Sequence, residues 1–220
     1  MDILFWAGWT FFRVLSRLLL RARVSGTEHV PRQGPFIVAC NHISYYDPPI
    51  VGCWVPRGVY FLAKAELFRW GPIGWLLRKV HARPVRRGVI DRGALEMADQ
   101  ILEDGLGLVV FPEGTRARKG EFLPPKPGLG RIALKAGCPI VPAYIRGSDR
   151  IGACLTFREH LRIEFGEPIT SEWLASLEIG KDSYLSVSQA VMDRIRQLRE
   201  RDERIKDFNN PPDNQSQTEN

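Results

Sequence analysis

Short apolar runs bounded by turn residues alternate along the chain with stretches whose apolar positions recur at helical spacing. Phe36-Ile37-Val38-Ala39-Cys40 follows a polar connection from Ser25 to Pro35 that contains Gly26, Pro31 and Gly34, and it reads as a buried strand. Val59 to Ala63, Leu108 to Phe111, Pro139 to Ile145 and Leu161 to Phe165 have the same character. Between them, Ile73 to Val80 reads as helical. Ile90, Ala94, Met97, Ala98 and Ile101 follow helical spacing up to Gly105, and a short helix runs to Gly137. From Tyr184 onward Val187, Val191, Ile195 and Leu198 mark an amphipathic helix, whose far part from Arg194 to Asp207 mixes both signs and reads as a solvated face. Strands alternating with helices predict an α/β fold, a layered sheet flanked by helices.

The N-terminal segment differs from the rest. Ile3 to Leu20 is dense in Trp, Phe and Leu, but Arg13 and Arg17 interrupt it and Arg21 and Arg23 follow. No uncharged run reaches the roughly 20 residues a bilayer span requires. Its charges follow the apolar stretch, the reverse of a secretory signal. In helical projection Arg13, Arg17 and Arg21 fall on one side and Phe5, Trp9, Phe12, Leu15 and Leu19 on the other. That predicts a helix lying in a membrane interface, with the arginines toward anionic lipid. A helix packed on the protein's own core, or on a partner protein, is the alternative. The expected organisation is an interfacial helix over residues 1–24, an α/β domain over 25–207 and a polar, disordered tail over 208–220 with Pro211-Pro212.

Composition narrows the partners more than the fold. The 220 residues suit one domain with modest additions. The formal net charge of +6 favours anionic partners, among them phosphorylated small molecules, acidic carrier proteins and anionic lipid. Nucleic acid is not expected, because no reading motif is present and the basic residues are not gathered on one helix. The four cysteines, Cys40, Cys53, Cys138 and Cys154, are scattered without zinc-ligand spacing. They predict buried free thiols in a reducing, cytosolic setting and no metal site.

The chemistry concentrates in two segments that each follow a predicted strand. In Asn41-His42-Ile43-Ser44-Tyr45-Tyr46-Asp47-Pro48, His42 is a base and Asp47 a carboxylate that could orient it if the chain turns at Ser44. Asp47 followed by Pro48-Pro49 also suits the start of a helix, with Asp as its N-cap. In Phe111-Pro112-Glu113-Gly114-Thr115-Arg116, a glycine turn sits beside a guanidinium suited to an anion. Singly these have plainer readings: a hydrogen-bonded structural histidine, a helix cap, a turn after a strand. Ser44 is not expected to act as a nucleophile, since the Gly-x-Ser-x-Gly elbow is absent and His42 is only two residues away.

Asn41-His42-x-Ser44-x-x-Asp47-Pro48 resembles the His-x4-Asp motif of the glycerophospholipid acyltransferase family, and Glu113-Gly114-Thr115-Arg116 is similar to that family's Glu-Gly-Thr-Arg motif without substitution. Val141-Pro142-Ala143-Tyr144-Ile145 resembles its later Val-Pro block, in family order, and the PlsC-type lysophosphatidic acid acyltransferases are the most similar subgroup in size. The resemblance implies acyl transfer from a thioester to the sn-2 hydroxyl of lysophosphatidic acid. His42 would be the general base and Asp47 its orienter, and no cofactor is implied beyond the acyl-carrier protein or coenzyme A thioester that serves as co-substrate. It further implies that Glu113, Gly114, Thr115 and Arg116 bind the acceptor, with Lys64 and Arg83 as further phosphate contacts and Arg86 and Arg87 behind Arg83. Another lysophospholipid or a lyso-aminolipid is the rival acceptor, and a non-catalytic membrane-binding protein of the same fold is the rival class. The implied location is the cytoplasmic face of a membrane, where the apolar Leu67 to Trp75 stretch would add to the contact.

Overall fold

The computed structural model describes residues 3–85, 92–117 and 121–209. Its centre is a mixed sheet of β1 (Arg23–Ser25), β2 (Phe36–Cys40), β3 (Val59–Lys64), β4 (Ala82–Val85), β5 (Gly107–Val110), β6 (Ile140–Arg146) and β7 (Arg162–Phe165). The spatial order is β1-β7-β6-β2-β5-β3-β4. β2 lies parallel between β5 and β6, β3 joins β5 to β4 in parallel, and β7 is antiparallel to β6 and carries β1 as a parallel edge. The helices are α1 (Ile3–Leu18), α2 (Asp47–Trp54), α3 (Gly71–Lys79), α4 (Arg92–Glu103), α5 (Gly128–Ala136), α6 (Ile151–Leu155), α7 (Ser171–Ala175) and α8 (Lys181–Asn209).

A strand covered on both faces reads as an unbroken apolar run, and β2 is such a strand. Phe36, Val38 and Cys40 enter the core beneath α1 and α2, whereas Ile37 and Ala39 enter the core beneath α4, α5 and α8. The second core is closed by tight helix packing. A Cβ on Gly130 of α5 would lie 1.9 Å from the Tyr184 carbonyl oxygen of α8, so only glycine permits that approach.

Three sequence expectations change. β1 and β4 are short edge strands, β1 where the expected interfacial helix was to end and the connection to begin, β4 in the basic stretch, and Pro84 in β4 suits an edge, where a missing N–H costs no ladder bond. The far part of α8 is not simply a solvated face. Asp202 is buried and receives the Arg146 Nε at 2.7 Å, while Arg146 also pairs with Glu159.

The third change concerns α1. Phe5 is buried, and Trp9 and Phe12 pack on the core, so the face expected to meet lipid largely faces the protein. Its arginines are also engaged internally: Arg13 stacks on Trp9 and Trp54, Arg17 donates to the Ala22 carbonyl and Arg21 lies over Phe157. A different apolar face, with Ile3, Trp6, Phe11, Val14 and Leu18, is turned outward. Trp70 and Trp75 are also exposed. Among the described residues no helix is long and apolar enough to cross a membrane. Most of the expected tail, residues 210–220, lies outside the described residues, as do Arg86 and Arg87.

Candidate active site

The carboxyl ends of β2, β5 and β6, three neighbouring parallel strands, converge on one point, the usual position for a site in an open α/β sheet. Asn41 and His42 directly follow β2. The Asn41 carboxamide donates to the Ile145 carbonyl at 3.0 Å and accepts from the Ile145 amide at 2.8 Å, which extends the β2–β6 pairing by a side chain and fixes where His42 begins.

Asp47 sits at the first turn of α2 but does not cap it; its carboxylate turns back over the loop before it. One oxygen accepts from His42 Nδ1 at 2.8 Å, the Ile43 amide at 2.7 Å and the Ser44 amide at 2.7 Å, while the other accepts from Ser148 Oγ at 2.5 Å. The two backbone bonds explain how residues five apart meet without a shared helix face. With a carboxylate on Nδ1, that nitrogen carries the hydrogen and Nε2 keeps its lone pair. Ser44 is spent locally, its Oγ accepting from the Tyr46 amide at 3.3 Å. Ser148 is one residue that sequence reasoning missed. It follows β6 by two positions, and only the strand order places it beside Asp47.

The second motif is clasped to the first. The Ala117 amide donates to the His42 carbonyl at 2.7 Å, and the Phe111 ring stacks on the imidazole with 4.2 Å between centroids. Glu113 was expected to meet the acceptor, but it is 1% exposed, with one oxygen on the His42 amide at 3.1 Å and the other on the Leu123 amide at 2.8 Å. Burial pushes its carboxyl above the ordinary range against the pull of those two amides. Its geometry is that of a brace under His42. Gly114 has φ +67°, a left-handed turn that suits glycine and lets the chain double back toward Arg116.

Arg116 and Lys64 reach the space in front of His42, Arg116 with its guanidinium 3.4 Å from the Tyr45 ring centroid and Lys64 with Glu66 at 3.3 Å. Thr115 is exposed and does not line that space. Arg83 does not reach it either. In β4 it pairs with Leu62 and turns its guanidinium over Tyr60, because strand alternation assigns the cavity side to its neighbour Ala82.

The space itself is a cavity of about 500 Å³, within the range of small-ligand pockets. Phe5, Trp9 and Phe12 of α1, Cys53 of α2 and Phe61 of β3 supply apolar wall, and His42, Lys64, Glu66 and Arg116 supply the polar groups. Sequence reasoning did not anticipate that α1 forms a wall of the site. The four cysteines are buried thiols, and burial pushes Cys53 up to about 12.

A basic nitrogen aimed into an apolar cavity flanked by cations suits deprotonation of a hydroxyl on an amphiphile carrying negative charge. Comparison with known proteins points the same way. The acyltransferase family matches residues 21–146. A 1-acyl-sn-glycerol-3-phosphate acyltransferase of Bacillus subtilis is 30% identical over 84% of this chain and 92% of its own length. A lyso-ornithine lipid O-acyltransferase of Pseudomonas aeruginosa is 33% identical over 83% of this chain and 77% of its own. The crystal structure of the 1-acyl-sn-glycerophosphate acyltransferase PlsC from Thermotoga maritima superposes with a TM-score of 0.70 at 26% identity, covering 89% of this chain and 79% of that one. On sequence and fold together, the chain belongs to the acyltransferase family, as an O-acyltransferase of the PlsC type.

Proposed function

We propose that this enzyme transfers a fatty acyl group from an acyl thioester to the sn-2 hydroxyl of lysophosphatidic acid, forming phosphatidic acid by direct transfer. The observation that carries this reading is the His42 Nδ1–Asp47 bond at the polar end of an apolar cavity. His42 Nε2 takes the hydroxyl proton as the oxygen attacks the thioester carbonyl, and the tetrahedral intermediate collapses with cleavage of the C–S bond. The proton then passes from Nε2 to the departing thiolate. Asp47 holds the tautomer and balances the charge of the transient imidazolium. Arg116 and Lys64 receive the phosphate, and the apolar walls take an acyl chain.

One feature supports a second acceptor. Glu66 lines the cavity as the partner of Lys64, so this end offers both signs and suits a zwitterionic headgroup such as that of a lyso-aminolipid. The donor is an acyl-carrier protein or coenzyme A thioester, both acidic, against a chain of net charge +6. The outward apolar face of α1 supports attachment to a membrane surface, which we read as the cytoplasmic one, where lipid acceptor and water-soluble donor would meet.

The deciding experiment crosses the purified protein with both donor types and with lysophosphatidic acid, lyso-ornithine lipid and lysophosphatidylethanolamine as acceptors. The highest kcat/KM is expected with lysophosphatidic acid. Preference for an aminolipid would transfer the assignment to the second reading, and no transfer to any acceptor would refute both.

A further inference from the structure

Tyr45 occupies an unusual position for a large aromatic side chain. It lies inside the loop that presents His42, between Ser44 and Asp47, yet it is 70% exposed, so core packing does not explain it. Its ring lines the cavity and carries the Arg116 guanidinium at 3.4 Å from its centroid. Among the described residues Arg116 has no carboxylate partner. A ring holds a guanidinium by its face and leaves the N–H donors at the edge unspent, whereas a carboxylate would occupy two of them and cancel the charge.

We infer that Tyr45 is a positioning and specificity residue. Its ring is the platform that sets Arg116 at a fixed reach from His42, and so favours acceptors whose anionic group lies a set distance from the reacting hydroxyl. This rests on the reading of Arg116 as the phosphate contact. The loops that carry the two residues are already joined beneath them. The His42 amide bonds to Glu113, the Ala117 amide bonds to the His42 carbonyl, and Phe111 stacks on the imidazole. Tyr45 and Arg116 complete that clasp on its exposed side, where a mobile arginine would otherwise sample many rotamers. Because the contact is at the surface of the site and not under it, removing the ring leaves the hydrogen bonds of Asp47 and Glu113 in place.

The test is a double-mutant cycle of Tyr45→Leu and Arg116→Ala. Each variant is assayed with lysophosphatidic acid and with 1-monoacylglycerol, which presents the hydroxyl without the phosphate. Tyr45→Leu is expected to raise KM for lysophosphatidic acid about two- to fivefold, the worth of an exposed cation–π contact, with kcat nearly unchanged. The rate with monoacylglycerol should stay the same, Tyr45→Phe should restore the parent KM, and Tyr45→Leu should add nothing once Arg116 is Ala. An equal loss on both acceptors, or a full additional loss in the Arg116→Ala background, would overturn the positioning role. If Arg116→Ala itself leaves the KM for lysophosphatidic acid unchanged, the phosphate assignment of Arg116 fails first, and with it the inference.

Discussion

Replacing Asp47 with Asn removes one buried charge while leaving each hydrogen bond around it available. The oxygen that accepts from His42 Nδ1, the Ile43 amide and the Ser44 amide can be replaced by the carboxamide oxygen. The carboxamide nitrogen then falls opposite Ser148 Oγ, a hydroxyl that turns from donating to accepting. The imidazole keeps its tautomer, since Nδ1 still faces an acceptor. What disappears is the charge that steadies the imidazolium as the proton arrives. A hydrogen bond to a charged group is worth about 1.5–3 kcal/mol, so kcat should fall about 10- to 150-fold. His42→Ala removes the base and should cost about 100- to 10,000-fold. Asp47→Ala differs again, because it strands the Ile43 and Ser44 amides at about 1–3 kcal/mol each and lowers the melting temperature as well as the rate. The assay is acyl transfer at saturating donor and acceptor, paired with thermal melts of all three variants. An Asp47→Asn turnover within twofold of the parent would refute a role for the charge. Loss equal to that of His42→Ala, with a melting point as low as that of Asp47→Ala, would refute the premise that the loop survives.

Glu113→Gln turns one acceptor into a donor opposite a backbone N–H, so about 1–3 kcal/mol of stability should be lost and kcat should fall with the acceptor KM little changed; a change confined to KM would show that Glu113 touches the substrate instead. Acid should loosen the contact between the end of β6 and the loop that precedes β7: burial raises the Glu159 carboxyl, but Arg146 outweighs it and holds the group below its ordinary value. That stability is present above the unfolded carboxylate value and is lost as pH falls through the lower folded one, so the melting temperature of the parent should drop more steeply between pH 7 and pH 3 than that of Glu159→Gln. Equal slopes would discard the pair as a source of acid sensitivity. On α1, Trp6→Ser, Phe11→Ser and Val14→Ser together should weaken binding to anionic vesicles at unchanged melting temperature, whereas Phe5→Ser should lower the melting temperature; vesicle binding that ignores the triple change would end the interfacial reading.

The sheet was largely legible because its central strands are covered on both faces and must be apolar throughout, as Phe36 to Cys40 are. Edge strands carry no such signature. β1 is three residues with mixed burial, and β4 contains a proline and an arginine, so pairing with a neighbour and not local pattern makes them strands. At the site, His42 and Asp47 were legible because their contact is local, closed by backbone bonds within one loop. Ser148 was not, since it reaches Asp47 across 101 residues, through a strand order that alternation alone does not specify. The position of Arg83 was not legible for a related reason. A residue number locates a side chain on a strand, but the face it takes depends on the register with β3.

The N-terminal helix exposes a limit of projection arguments that bears on function. Phe5, Trp9 and Phe12 form one apolar stripe and Ile3, Phe11, Val14 and Leu18 another, and a helix with two such stripes does not declare which one faces the protein. The cavity decides it. Phe5, Trp9 and Phe12 are needed to close the wall beside α2 and β3, and α1 is anchored there by the Trp9 indole donating to the Val55 carbonyl at 3.3 Å and by Phe5 stacked on His81. The outward stripe is then separated from the cavity by the thickness of one helix, roughly 10 Å with side chains. In the proposed setting, a lipid at the surface has only that distance to cover to reach His42. Loss of α1 would therefore remove a wall of the site along with the outward stripe that the helix offers to a membrane.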